Sequence, residues 1–180
     1  MVVMQYDDAM ATPVTTLAPT PAADDPRLGA WRSFIHAHAR LLRRLDEELQ
    51  DAHGLSLAEY DALVQLVNAP GRRLRMSVLA ERVLLSRSGI TRLVDRLVAA
   101  GFVERSACVS DARGAEAALT AQGLERLREA SPTHLDGVQR YFLGLIPDPD
   151  RDAIERGCNG ILDELGREAT ADSTCTIENG

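Results

Sequence analysis

From Trp31 to Leu165 the apolar residues of this chain recur at gaps of three and four, and the rhythm is lost over one long stretch, Phe102 to Thr120. Such a chain can fold as packed helices around one short β element. Trp31, Phe34, Ile35, His38, Leu41, Leu42, Leu45 and Leu49 form the first stripe. Asp25 is placed to cap that helix with Pro26 at its first position, and Gly54 ends it. Ser56 and Glu59 make a capping box for the next helix, whose apolar side is Leu57, Tyr60, Leu63, Val64 and Val67. Ala69-Pro70-Gly71 stops it. A short third helix is predicted from about Ser77 to Val83, then a tight Leu84-Leu85-Ser86 link. A fourth helix follows from about Arg87 to Ala100, closed by Gly101.

Within the interrupted stretch, Phe102-Val103 and Ala117-Ala118-Leu119 bracket a turn at Ser110-Asp111-Ala112-Arg113-Gly114, the pattern of a β-hairpin. Thr120 then caps a long fifth helix carrying Leu124, Leu127, Leu135, Val138, Phe142 and Leu145, with a kink predicted at Pro132. Asp148 and Pro149 open a sixth, with Ile154, Cys158, Ile161, Leu162 and Leu165 on one side. The Pro-, Thr- and Asp-rich residues 1–25 cannot bury enough apolar surface to offset their ordering entropy, and read as a disordered tail. Residues 169–180 read as a second, flexible one. The predicted fold class is mainly α with a small β-hairpin.

Charge has to be resolved along the chain to be informative. The 180 residues carry 20 basic side chains, all arginine, against 27 acids, a net of −7. That total argues against a general polyanion binder. Residues 72–113, however, hold nine arginines and four acids, a net of +5 set in a remainder of −12. This is the electrostatic footprint of a duplex-binding segment. A solvated charged face is the ordinary alternative.

Other classes fall away. No run approaches 18 apolar residues, so no membrane span is predicted. Asp7 and Asp8 stand where an export signal carries positive charge. Cys108, Cys158 and Cys175 are odd in number, far apart and without a CxxC, which fits a reducing compartment and a cytoplasmic location. There is no Gly-rich phosphate loop, HExxH or nucleophile elbow, so no enzyme and no cofactor is predicted. His36 and His38 are two apart and point to different sides of a helix, so no metal site is expected.

Geometry sharpens the charge argument. A short helix, a three-residue turn and a helix of about 14 residues is helix-turn-helix spacing, and the second helix, about 21 Å long, can lie in a major groove. Burying Ile90, Leu93, Val94, Leu97 and Val98 leaves Arg87, Ser88, Thr91, Arg92, Asp95 and Arg96 outward. A hairpin directly after such a helix is a wing. Arg113 suits a narrow minor groove and Asp111 can orient it, although Ser-Asp-Ala-Arg-Gly would also serve as a plain surface turn.

Arg75 to Val83, Ser86 to Leu97, Gly101-Phe102-Val103, Asp111-Ala112-Arg113-Gly114 and Leu119-Thr120, taken in order, resemble the MarR family of bacterial regulators. Pro132-Thr133-His134-Leu135 with Arg140-Tyr141-Phe142 resembles its actinobacterial branch. The resemblance implies a winged helix-turn-helix in an intertwined homodimer. Residues 26–52 and 121–168 would be the dimerisation helices, and residues 55–120 the DNA-binding domain. The partner it implies is double-stranded DNA with a pseudo-palindromic operator. By the same resemblance Ser86, Arg87, Ser88, Thr91 and Arg92 would contact bases and phosphates, joined by the outward Arg96. Ser77 would touch phosphate, Asp111 and Arg113 would act in the wing, and Asp95 would brace a wing arginine, Arg105 or Arg113. Family members commonly repress a nearby gene until a phenolic or other aromatic ligand enters a cleft, which Trp31, His38 and Tyr60 could line here. Two rival functions stand beside this: a winged-helix protein-interaction module without specific DNA binding, and a thiol-responsive regulator using Cys108.

Overall fold

The computed structural model describes residue 22 and residues 25–108 and 111–174, with backbone alone at 107–108, 111–114 and 167–174. Most of the predicted N-terminal tail, the hairpin connection 109–110 and Cys175 lie outside the described residues. In chain order the elements are α1 (Leu28–His53), α2 (Leu57–Val67), a 3-10 turn (Pro70–Arg72), β1 (Arg73–Arg75), α3 (Met76–Arg82), α4 (Arg87–Ala99), β2 (Val103–Cys108), β3 (Asp111–Leu119), α5 (Ala121–Val138), a π turn (Gln139–Leu143) and α6 (Asp148–Thr174). The chain divides into two compact units between His38 and Ala39, within α1.

In the first unit the helix starts at Leu28 rather than Pro26, because Pro26 and Arg27 are spent on a turn. Leu28 N–H donates to the Asp25 carbonyl and Gly29 N–H to that of Pro26, both at 3.0 Å. Asp25 closes that turn instead of capping the helix: its Oδ1 accepts the Arg27 amide at 2.8 Å, and the Arg27 side chain holds the carboxyl below its ordinary range. Trp31, Phe34 and Ile35 are exposed.

The second unit holds the core. Leu49, Leu63, Leu66, Leu79, Ile90, Leu93, Val94 and Leu97 are buried together beneath the sheet residues Leu74, Val103 and Ala117, with Leu127 and Ala130 of α5. Each large side chain so buried stabilises the fold by about 1.5–3 kcal/mol. The sequence also places the ends of these helices. Ser56 and Glu59 form the reciprocal capping box of α2. Thr120 Oγ1 accepts the Gly123 amide at 2.9 Å while donating to the Gly101 carbonyl at 2.8 Å, so one side chain starts α5 and ties it to the end of α4.

The sheet is antiparallel in the order β1-β3-β2. Sequence periodicity misses β1, since Arg73-Leu74-Arg75 is too short to show alternation, yet Leu74 is buried between two exposed arginines. The hairpin also differs from expectation. β3 begins at Asp111, so the turn predicted at 110–114 is largely strand, and Cys108 pairs with Asp111. A register shift beside Ala107 leaves Ala112, Arg113 and Gly114 without cross-strand partners in that register. Arg113 thus lies on β3, within the segment where the register shifts.

Helical assignment runs unbroken across Pro132, and the backbone widens only at the π turn 139–143. The predicted C-terminal tail is helical to Thr174. α6 leaves Ile161, Leu162 and Leu165 more than half exposed.

Candidate nucleic-acid interface

The turn between α3 and α4 is built on Leu84, whose φ of 56° is in the left-handed region where glycine is usual. Leu85 N–H donates to the Ala80 carbonyl at 2.9 Å, and Leu84 N–H to that of Glu81 at 3.2 Å, closing α3 sharply. Ser86 then caps α4. Its Oγ accepts the Gly89 amide at 3.1 Å and lies 3.1 Å from Ser88 Oγ. A methyl group on Gly89 would sit 3.3 Å from Ser86 Oγ, closer than ordinary contact, so the cap would have to give slightly.

Burial of Ile90, Leu93, Val94 and Leu97 fixes which side of α4 meets solvent. Arg87, Ser88, Thr91, Arg92 and Asp95 are exposed there, as are Ser77 at the start of α3 and Ser86 at the cap. Thr91 Oγ1 donates to the Arg87 carbonyl at 2.8 Å. Among the described residues Arg72, Arg82, Arg87 and Arg92 are exposed and form no ion pair.

Arg96 departs from the expectation. Its Nε donates to Glu59 Oε1 at 2.7 Å, tying α4 to the first turn of α2. Its guanidinium, more than half exposed, is paired with a carboxylate of the same chain. Burial pushes the Glu59 carboxyl up, but the hydrogen bonds from Arg96 and Ser56, with the Arg96 charge, outweigh it and hold Glu59 below its ordinary 4.5. Sequence reasoning found Glu59 as a capping residue; its second partner, far along the chain, left no local signal.

Of the two candidate wing arginines, the structure pairs Arg105 with Asp95, Nη1 to Oδ1 at 3.0 Å, joining β2 to the exposed side of α4. Asp111 and Arg113 lie on β3 near the hairpin tip, and the side chain of Cys108 is outside the described residues.

Tyr60 lines an open cavity of about 820 Å³ between α1, α2, the α3–α4 turn and α5. Its ring lies 4.5 Å from that of His134, and its hydroxyl donates to Ser131 Oγ at 3.4 Å. Trp31 and His38, grouped with it from the sequence, are exposed residues of the first unit and are absent from this lining. Burial lowers the His134 pKa, against an opposing pull from the Asp61 charge. Among the described residues no cluster of three or more His, Cys, Asp or Glu could hold a metal ion, and no helix is long and apolar enough to cross a membrane.

A family model for the MarR family matches residues 53–114, which span the helix-turn-helix and most of the hairpin. AbsC, a MarR family transcriptional regulator from Streptomyces coelicolor, is 34% identical with a TM-score of 0.75, over 81% of this chain and 98% of that one. Sco3205, a MarR family transcriptional regulator from the same organism solved in complex with DNA, is 34% identical with a TM-score of 0.76, over 82% and 92%. The HTH-type transcriptional repressor YetL of Bacillus subtilis is 34% identical over 112 residues, 62% of this chain and 66% of that protein. With a mainly helical fold, a winged three-stranded sheet and relatives that are regulators rather than enzymes, the chain belongs to the MarR family of transcriptional regulators.

Proposed function

We propose that the protein is a homodimeric, sequence-specific DNA-binding repressor that releases its operator when a small aromatic ligand binds. The observation that carries this is the exposed side of α4. Among the described residues Arg87 and Arg92 form no ion pair there, beside Ser88 and Thr91, while Arg96 and Arg105 of the same basic segment are paired with carboxylates of the chain. Unpaired guanidinium groups can neutralise phosphate or pair with guanine, and exposed hydroxyls can read base edges or phosphates. α4 would enter the major groove, Ser77 and Ser86 would hold the backbone, and Asp111 and Arg113 would act from the wing. The relative solved with DNA supports the partner and the repressor YetL supports the sign of regulation.

The apolar residues left in solvent support dimerisation. Trp31 and Phe34 of α1, and Ile161, Leu162 and Leu165 of α6, are each 45–66% exposed, and a soluble monomer rarely leaves such patches bare. A second copy covering them by two-fold symmetry would present two α4 helices to a pseudo-palindrome. The Tyr60 cavity would take the ligand. A bacterial DNA-binding regulator of this kind would act in the cytoplasm.

A mobility-shift titration with the upstream region of its own gene tests the proposal. Retention of that duplex well below the concentration needed for a random duplex of equal length is the expected result. Equal affinity for both would favour a winged helix that binds protein instead.

A further inference from the structure

The geometry points to an aromatic cation as the ligand of the cavity beside Tyr60, with Asp61 and Asp46 supplying the counter-charge and Leu42, Leu57 and Val64 the apolar walls. This rests on the ligand-responsive reading above and narrows the class of molecule that triggers it.

The volume, about 820 Å³, suits a molecule of two or three fused rings. The walls are mainly apolar, with Leu42, Leu57 and Val64 among them, and the charged residues in the lining are Arg43, Asp46 and Asp61. Arg43 is largely solvent-exposed and its guanidinium lies 3.9 Å from Glu47 on its own helix. Asp46 and Asp61 are half-buried, and neither forms an ion pair among the described residues. Each commits one oxygen to a neutral donor. Asp46 Oδ1 accepts the Leu57 amide at 2.7 Å and Asp61 Oδ1 the Gln65 amide group at 3.3 Å. The other oxygens keep their acceptor capacity.

His134 does not offset these charges, because burial favours its neutral form. Its Nδ1 is buried without a hydrogen-bond partner. An aromatic carboxylate would therefore meet two negative charges beside an apolar wall, whereas a cation would find both carboxylates. The cavity also reaches the DNA-binding apparatus. Leu84, 91% exposed in the α3–α4 turn, forms part of its wall, and Glu59, bonded to Arg96 of α4, lies between the lining residues Ala58 and Tyr60.

Calorimetric titration of the full chain, without DNA, against three molecules of one ring system separates the outcomes: 9-aminoacridine as the cation, acridine as the neutral form, acridine-9-carboxylate as the anion. The cation should bind about tenfold more tightly than the anion, the size of effect one desolvated opposite charge supplies. Asp61→Asn should remove about half of that preference in log affinity, Asp46 supplying the rest, while leaving acridine affinity unchanged, and Asp61→Glu should retain it. Thermal melts of both variants check the fold. Tighter binding of the carboxylate, or a preference indifferent to Asp61→Asn, would overturn the inference while leaving a ligand site in place. Failure of all three to bind would remove the ligand site as well.

Discussion

Glu59 holds two elements with one carboxylate: Oε1 accepts from Arg96 Nε at 2.7 Å, and Oε2 from the Ser56 backbone amide at 3.0 Å. The first turn of α2 and the last turns of α4 are thereby fixed to each other. Movement of α2 at the cavity wall would reach α4 through this link without passing through the core. Glu59 is well covered and Arg96 is more than half exposed, so the pair contributes modestly and the cap contributes with it.

Glu59→Ala should therefore lower stability by about 1–2 kcal/mol, the sum of a lost cap and a partly exposed ion pair. Because the folded carboxyl is held below its ordinary 4.5, its contribution is complete above that pH and is lost as pH falls further. Urea melts from pH 7 to pH 3 should show a shallower acid loss for Glu59→Gln than for the wild type. Parallel curves would remove Glu59 from the acid response.

The two kinds of α4 arginine should separate cleanly. Arg92→Ala should weaken operator binding several-fold and lower the slope of log affinity against log salt by about 0.9, as loss of one phosphate contact does. Arg96→Ala should reduce thermal stability and leave that slope unchanged. Fluorescence anisotropy across a salt series measures both. An equal slope change for the two variants would mean that Arg96 leaves Glu59 to reach DNA.

His134 gives a second pH dependence, in a different window. Burial first, against the pull of Asp61, depresses its folded pKa below 6.5. Its contribution is therefore complete above that value and is lost as pH falls through the folded pKa. His134→Phe should flatten the fall in melting temperature between pH 7.5 and about 5. An unchanged fall would assign it to other groups.

Gly123 is the position where backbone contact leaves least room. An added methyl group would lie 2.1 Å from the Phe102 carbonyl oxygen, so α5 would have to move off the end of α4. Gly123→Ala should lower stability by about 3 kcal/mol or more, at the upper end for overpacking. Gly29, which has open space around its position, is the control, and Gly29→Ala should be near neutral in the same melts.

Much of the architecture was legible because it is local. Capping by Ser56 and Thr120 depends on residues three apart, and the apolar stripe of α4 fixes its own exposed face. What escaped was set by partners distant in sequence. β1 exists because β3 passes beside it, with Leu74 opposite Ala117. Arg96 looked outward by periodicity, but an arginine is long enough to turn back to a carboxylate on another helix. Asp46, Asp61 and His134 come from three helices and carry no shared motif, so the polar lining of the cavity was invisible until the helices packed. The wing was read as a turn because Ser-Asp-Ala-Arg-Gly has turn chemistry, whereas β3 already begins at Asp111, with its register shifting beside Ala107.

Hydroxyl-radical footprinting of the dimer on its own upstream region tests the central claim most directly. Two α4 helices in successive major grooves should protect two patches centred about 34 Å, or roughly 10 base pairs, apart, and Arg87→Ala with Arg92→Ala should erase both. A single patch, or no protection above that of random duplex, would contradict the assignment of α4 as the element that reads DNA.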